Sequence, residues 1–514
     1  MAPARALTAP SAAFRAHRAV GWVIVLGTAV RLVTAAAMGL GVDETYEVVV
    51  GRRFSGGYFD HPPLSFWIAH AAASLGGEHA LVVRAPFILL FAATTWMLYR
   101  LTARLFGERA GALAALLLNI SAVFAVSTGG WVLPDGPLAF ALVTATYCFV
   151  RAVDRNAATP TAWWIGTGIS AGIALLSKYH AMLFLAGAAT YLCTSPTARR
   201  WWSRPEPYVA AAIALAIFSP DLLWNAHHGW VSFAFQLGRG SVAGQVTLPQ
   251  RLASLGQNLA GQALWVLPWI WVPLVGVLVR AVARGPADDR AWLLVCLGGG
   301  PVLIFTLVSL GGRPGLPHWP APGWLLLVPL LGAAMATRLD AGDRGARYWL
   351  IASTTTYAAL VLLLTSASAT GWLGRAAPAI VAHGDPTLEA LDWTDLPRGL
   401  DSLGLRERPG TFVAGTSWIQ AAKAAYALGP SVPVVALTND PRHFQFLYDA
   451  DSLVGRDAVI VDRLPARHDV AAMFAPDFAD VRLVGRVSIR RLGYRAFDLA
   501  VYLAHDYRGR RLSS

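Results

Sequence analysis

The sequence predicts an α-helical polytopic membrane protein of about 11 transmembrane helices, followed by a small C-terminal α/β domain. Three observations carry this reading. Of 514 residues, 55% are hydrophobic and only 14% charged, more apolar surface than a water-soluble fold of this size has use for. The apolar residues gather into recurring runs, and a bilayer core takes about 20 helical residues per crossing. Beyond about Gly371 the runs shorten and β-rich pieces alternate with helical ones.

The apolar runs are 20–40, 81–105, 110–128, 134–150, 161–177, 181–193, 208–224, 261–282, 291–310, 319–335 and 348–368. Arg5, Arg15 and Arg18 precede the first of them, which is too long and too lacking in a small-residue cleavage signal to read as a removed leader. Residues 1–19 are therefore expected in the cytoplasm, 20–370 as the transmembrane domain with a first outer loop at 41–80, and 371–514 as an extracytoplasmic domain. The three cysteines, Cys148, Cys193 and Cys296, lie in apolar stretches and read as small core residues; they supply neither a disulfide framework nor a metal site.

The formal net charge of +12 could suggest nucleic acid, but its distribution excludes that partner. Residues 371–514 hold 17 basic and 16 acidic side chains, so residues 1–370 hold 25 and 14. The excess falls between apolar runs. With the N-terminus inside, 17 of these bases occupy inner loops and 6 (Arg52, Arg53, Lys178, Arg239, Arg251 and Arg313) outer ones, a strong positive-inside asymmetry. An odd number of spans then places the C-terminal domain outside. The bilayer is the first expected partner.

In the C-terminal domain, 411–415, 432–437, 458–462, 481–489 and 496–503 read as strands. Residues 417–428 read as a helix, with Ser417 as its N-cap and Gly429 just past its end. Without a Gly-rich phosphate loop or a His/Asp cluster at metal spacing, a lid or acceptor-docking module is the favoured reading of this domain.

The residues capable of chemistry collect on the outer loops. Asp43 and Glu44 stand side by side after the first run, where carboxylates are costly to desolvate and tend to be used on a water-filled cavity; two solvated loop acids are the alternative. The run 64–75 that follows is apolar but too short to span, and suits the membrane interface. Arg31 lies inside the first run, where an unpaired charge is expensive, and is expected to face the bundle interior.

Six motifs follow in order: Asp43-Glu44; Tyr58-Phe59-Asp60-His61-Pro62-Pro63-Leu64; Pro134-Asp135-Gly136-Pro137-Leu138; Leu176-Ser177-Lys178-Tyr179; Ser219-Pro220-Asp221-Leu222-Leu223-Trp224-Asn225; and His318-Trp319-Pro320-Ala321-Pro322. Together they resemble the bacterial branch of the protein mannosyltransferase-like family, membrane glycosyltransferases of the GT-C fold related to the aminoarabinose transferases of lipid A. The resemblance covers about residues 20–330. It implies an inverting transfer of a sugar from a polyprenyl-phosphate donor to a hydroxyl of an envelope glycan, lipid or protein on the outer side of the inner membrane.

Mapped by motif, the resemblance makes Asp43 the candidate general base and Glu44 a residue that assists it or positions the acceptor or the loop. The leaving group is then a lipid phosphate, which needs nearby positive charge. Lys178, one of only two lysines in the chain, can offer a compact cation, with Arg31 as a second candidate; a snorkelling interfacial lysine is the alternative. Tyr58, Asp60, His61, Asp135, His227 and His318 are candidate substrate contacts. Asp60 and His61 could instead bind a divalent cation with Asp43, or simply form a turn fixed by Pro62 and Pro63. Asp135 could simply cap a helix. A transporter or flippase of a lipid-linked precursor is the competing function; it would call for mid-membrane charges and repeated broken helices.

Overall fold

The computed structural model describes residues 12–239, 246–381, 384–406, 408–449, 451–466 and 468–509. Arg5, counted above among the inner arginines, lies outside the described residues. In chain order the first helices are α1 (Ala12–Ala37), α2 (Val42–Gly51), α3 (Leu64–Gly76), α4 (Ala80–Phe106), α5 (Glu108–Asn119), α6 (Asp135–Val153), α7 (Pro160–Ser177), α8 (Met182–Thr194) and α9 (Glu206–His227). Long helices then follow at Leu248–Val266, Pro268–Arg284, Asp289–Leu307, Ala321–Asp340 and Arg344–Thr370.

Among the described residues, eight helices are long and apolar enough to cross a membrane, against 11 apolar runs. The run 110–128 is not one helix: α5 ends at Asn119 and a π-helical turn occupies Val123–Thr128. The run 261–282 is cut at Leu267, whose φ of 83° breaks the backbone just before Pro268. The run 181–193 becomes α8, whose 13 residues are shorter than a bilayer crossing. Hydropathy counts apolar residues and is blind to where the backbone stops being helical.

The chain divides into two compact units. The first comprises Met1–Leu32, His61–Leu64 and Ala85–Leu360. Its helices pack through small residues, which let backbones approach where lipid gives no hydrophobic drive to associate. A Cβ on Gly168 of α7 would lie 2.5 Å from the Ala210 carbonyl of α9, and one on Gly187 of α8 would lie 2.4 Å from the Cys296 carbonyl. Cys148 and Cys296 are buried as expected, but Cys193 is exposed. This corrects its reading as a core residue; an apolar stretch on a membrane helix need not face the protein.

The second unit comprises Val33–Asp60, Ser65–Arg84 and Val361–Ser514. The first outer loop, apart from 61–64, is therefore grouped with the C-terminal domain, although the sequence division assigned it to the transmembrane part. Five strands, β1 (Thr411–Gly415), β2 (Val434–Ala436), β3 (Asp457–Arg463), β4 (Phe478–Arg491) and β5 (Tyr494–Tyr507), form one sheet in the order β2-β1-β3-β5-β4. β1 runs parallel to β2 and β3, while β5 is antiparallel to β3 and β4. The helix Trp418–Leu428 connects β1 to β2; Ser417 caps it by accepting from the Gln420 amide, and Gly429 ends it at φ 81°.

Alternation along the strands divides their side chains between two buried clusters. Phe412, Ala414 and Ile460 join Phe474, Phe478 and Tyr507. Val413, Val459, Leu499 and Val501 join Ala421, Ala425, Tyr46, Val49, Tyr58 and Phe66. The outer-loop helices α2 and α3 thus contribute to the core on one face of the sheet.

Candidate functional site

In the second unit, α2 starts where its first turn is capped. Glu44 accepts the Gly41 N–H at 2.7 Å, and the Thr45 hydroxyl donates to the Gly41 carbonyl at 2.6 Å. The Glu44 carboxylate is 2% exposed and also takes both prongs of Arg84, Nε at 2.7 Å and Nη2 at 2.6 Å. Arg84 gives its remaining hydrogens to the carbonyls of Ala35, Met38 and Gly39. A buried, bidentate and fully bonded pair of this kind fixes geometry. Glu44 is thereby a structural anchor of the loop, with no capacity left for proton transfer.

One residue earlier, about 100° round the helix, Asp43 is exposed and has no hydrogen-bond partner among the described residues. Loss of hydration in its crowded surroundings, then the nearby Asp60 carboxylate, raise its pKa to about 6. Contact with solvent and partial desolvation coexist here, because water reaches a rim carboxylate from one side only.

Asp60 is buried. It accepts from the Tyr46 hydroxyl at 3.0 Å and from Arg442 Nη1 at 3.1 Å. Burial raises its pKa, and the Arg442 guanidinium opposes that rise. Tyr46 in turn accepts the His443 N–H at 3.1 Å. Arg442 sits over the Trp418 ring at 4.7 Å and holds φ at 51°, a left-handed conformation that non-glycine residues keep only when their surroundings over-determine it. Tyr58 is wholly buried, stacks on Phe66 at 3.9 Å and donates to the Arg53 carbonyl at 3.0 Å. It offers no face to a substrate, and packing is the role its surroundings give it.

In the first unit, Lys178 is 5% exposed at the C-terminal end of α7, and its ammonium donates to both oxygens of Asp135, at 3.0 and 2.9 Å. One alternative from the sequence is thereby corrected: Lys178 does not snorkel. Asp135 is the acid in the first turn of α6, and its carboxylate faces Lys178. Burial, then Lys178, hold His180 far below its ordinary pKa and lower His318 to about 4. Both rings are therefore neutral at pH 7, and Lys178 is the cation of the cluster. Among the described residues His180 Nδ1 is buried without a hydrogen-bond partner, a state a native site tolerates where an incoming group can satisfy it. His61 interacts electrostatically with His180. Tyr179 donates to Asp221, and Asn225 supports the same carboxylate.

Arg31 faces the bundle interior, as its place in the first run implies. Its Nε donates to the Ala125 carbonyl at 2.9 Å and its Nη2 to Asn119 at 3.1 Å, with the Phe91 ring 4.3 Å away. The π-helical turn after α5 presents the Ala125 carbonyl to a side chain. Arg31 is therefore tied inside the bundle. His227 is exposed at the end of α9 and is gathered with none of these clusters.

Among the described residues, no three His, Cys, Asp or Glu side chains gather as a metal site. Sequence reasoning missed Arg84, Arg442 and Asp392, whose carboxylate accepts the Leu40 N–H at 3.1 Å. Arg84 had a legible signal, a lone charge near the end of an apolar run, the same signal that singled out Arg31. Arg442 and Asp392 had none, because loop charges in a mixed domain are common.

Residues 60–224 match the dolichyl-phosphate-mannose-protein mannosyltransferase family. The chain is 27% identical over 294 residues to a lipid A galacturonosyltransferase of Rhizobium johnstonii, covering 56% of this chain and 59% of that protein. It is 24% identical to an undecaprenyl phosphate-alpha-4-amino-4-deoxy-L-arabinose arabinosyl transferase of Erwinia tasmaniensis, covering 49% of this chain and 46% of that protein. The chain thus spans about half the length of these relatives. The crystal structure of ArnT from Cupriavidus metallidurans bound to undecaprenyl phosphate shares the fold, with a TM-score of 0.64 at 16% identity over 94% of this chain and 97% of that one.

Proposed function

We propose that the chain is a member of the protein mannosyltransferase-like family of membrane proteins, a reading that the match over residues 60–224 and the similarity to the lipid A galacturonosyltransferase support, and that it is an inverting glycosyltransferase. It moves a sugar from a polyprenyl-phosphate donor to a hydroxyl of an envelope lipid or glycan, with lipid A or core saccharide first among acceptors, at the inner membrane. The N-terminus is cytoplasmic and the C-terminal domain extracytoplasmic, following the arginine asymmetry.

The observation that carries this reading is the division of labour between Asp43 and Glu44. Glu44 is saturated by Arg84 and Gly41, whereas Asp43 is exposed with a pKa raised to about 6. An efficient general base has its pKa near the working pH. In the reaction the acceptor oxygen bonds to the anomeric carbon, Asp43 takes the hydroxyl proton, and the carbon–oxygen bond to phosphate breaks with its electron pair leaving on polyprenyl phosphate. Lys178 is assigned to that phosphate, where its ammonium offsets the developing charge, with Asp135 orienting it. No step is assigned to a metal ion.

The test is Asp43→Asn in the purified full chain, supplied with undecaprenyl-phosphate-linked galacturonic acid or 4-amino-4-deoxy-arabinose and with lipid A. Transfer by the wild type that the variant loses supports the assignment. Equal transfer by both removes Asp43 from the chemistry, and no transfer by the wild type favours transport of a lipid-linked precursor.

A further inference from the structure

Within the second unit, residues 38–41 lead into α2 without belonging to a helix or strand, yet side chains take up their backbone groups one by one. Arg84 donates to the carbonyls of Met38 and Gly39, at 2.9 and 2.7 Å. Asp392 accepts the Leu40 N–H at 3.1 Å, and Glu44 accepts that of Gly41. The Lys423 ammonium donates to the Leu40 carbonyl and, at 3.3 Å, to that of Leu391. Gly39 sits so close to Asp392 that a Cβ there would lie 2.6 Å from its carboxyl carbon and 2.8 Å from the Ala390 carbonyl.

Lys423 is 2% exposed and Leu40 not at all. Burying an ammonium is costly unless its hydrogens are met, and a hydrophobic residue of similar size often packs as well or better. Lys423 lies on the helix Trp418–Leu428, where Ala421, Ala422, Ala424 and Ala425 fill the core with small apolar groups. What the lysine adds to that surface is two directed hydrogen bonds, one to each of two backbone segments. Gly41 is two residues from Asp43, so the position of this strap sets where the first turn of α2 begins and where the Asp43 carboxylate points.

We infer that Lys423 and Asp392 are positioning residues for Asp43: the C-terminal domain clamps the backbone of residues 38–41 and so aims the general base. The inference rests on the reading of Asp43 as that base. It gives the C-terminal domain a part in turnover, where the sequence favoured a lid or a docking module. A displacement of about 1 Å at a reacting group can cost on the order of 100-fold in rate, which sets the size of effect to look for.

The experiment uses the purified full chain and the donor and lipid A pair that the wild type turns over. Lys423→Met and Asp392→Ala are expected to lower kcat by about 10- to 100-fold and leave donor KM within about twofold. Asp392→Asn keeps an oxygen for the Leu40 N–H and is expected to retain most of the activity. Gly39→Ala is expected to lower kcat by pushing the strap off Asp392. Amide exchange over residues 38–46 should quicken in Lys423→Met and Asp392→Ala.

Phe474→Leu, in the core on the other face of the sheet, is the control for lost stability; it should quicken exchange over β1 and β3 and leave kcat per folded molecule unchanged. Quickened exchange at 38–46 with unchanged kcat overturns the inference, as does a kcat loss no greater than that of Phe474→Leu. With Asp43→Asn inactive and Asp392→Ala fully active, the inference alone falls. With Asp43→Asn fully active, the proposed function falls first and takes the inference with it.

Discussion

The acids at the start of α2 and the Lys178–Asp135 pair in the membrane unit treat charge in opposite ways. At α2, two neighbouring carboxylates are separated by their environment: Glu44 is buried against Arg84, while Asp43 is exposed with a raised pKa. In the membrane unit an acid and a base are mated beside two histidines kept neutral. The first arrangement leaves one group free to take a proton near neutral pH. The second holds a cation in a fixed place beside histidines that stay neutral at pH 7. Proton transfer suits the first and charge stabilisation the second.

Exchanging the properties of the two regions should break this contrast, and the largest effect is expected at Asp43. Asp43→Asn should lower kcat by about 10²- to 10⁴-fold with unfolding unchanged, as measured by sugar transfer and thermal unfolding of the same preparation. Arg84→Ala strands Glu44 as a buried unpaired charge and should cost about 3–5 kcal/mol of stability, visible as a lower unfolding temperature; Glu44→Gln in the same background should recover part of it. Lys178→Ala should lower kcat/KM for the lipid donor by about 10- to 100-fold, the worth of a charge-assisted hydrogen bond. It should affect acceptor use less, and Asp135→Asn added to it should restore stability but not donor use.

The pH profile sharpens the comparison further. A base must be ionised to accept a proton, so kcat should rise with pH through about 6 and level off above it. Asp60→Asn removes a carboxylate that raises the Asp43 pKa and leaves Arg442, which lowers it, so the acid arm should shift to lower pH. His180 and His318 stay neutral across that range and should add no second arm. The smallest effect belongs to exposed His227: His227→Ala should change turnover by less than about twofold.

Much of the fold was legible because the signals are local. Each of the five expected strands and the helix after Ser417 occurs in the structure, since alternation, an N-cap serine and a C-terminal glycine are written into short windows. The span count was less legible; the breaks at Asn119 and Leu267 lie inside continuous apolar composition. At the site, the sequence brought Asp43, Glu44 and Lys178 forward by residue type and order. It could not say that Tyr58 is enclosed against Phe66, or that Asn119 and Ala125 are the partners that meet Arg31, because such contacts are made by the fold and not by the local sequence.

The sequence by itself determined that this is a polytopic membrane chain with an α/β tail and a short set of acids and one lysine on its outer loops, because hydropathy and motif order are one-dimensional properties. Only the tertiary structure decided which acid is spent and which is available. That choice turns on whether Arg84, 40 residues away, reaches Glu44, and on how far the surrounding protein strips water from Asp43.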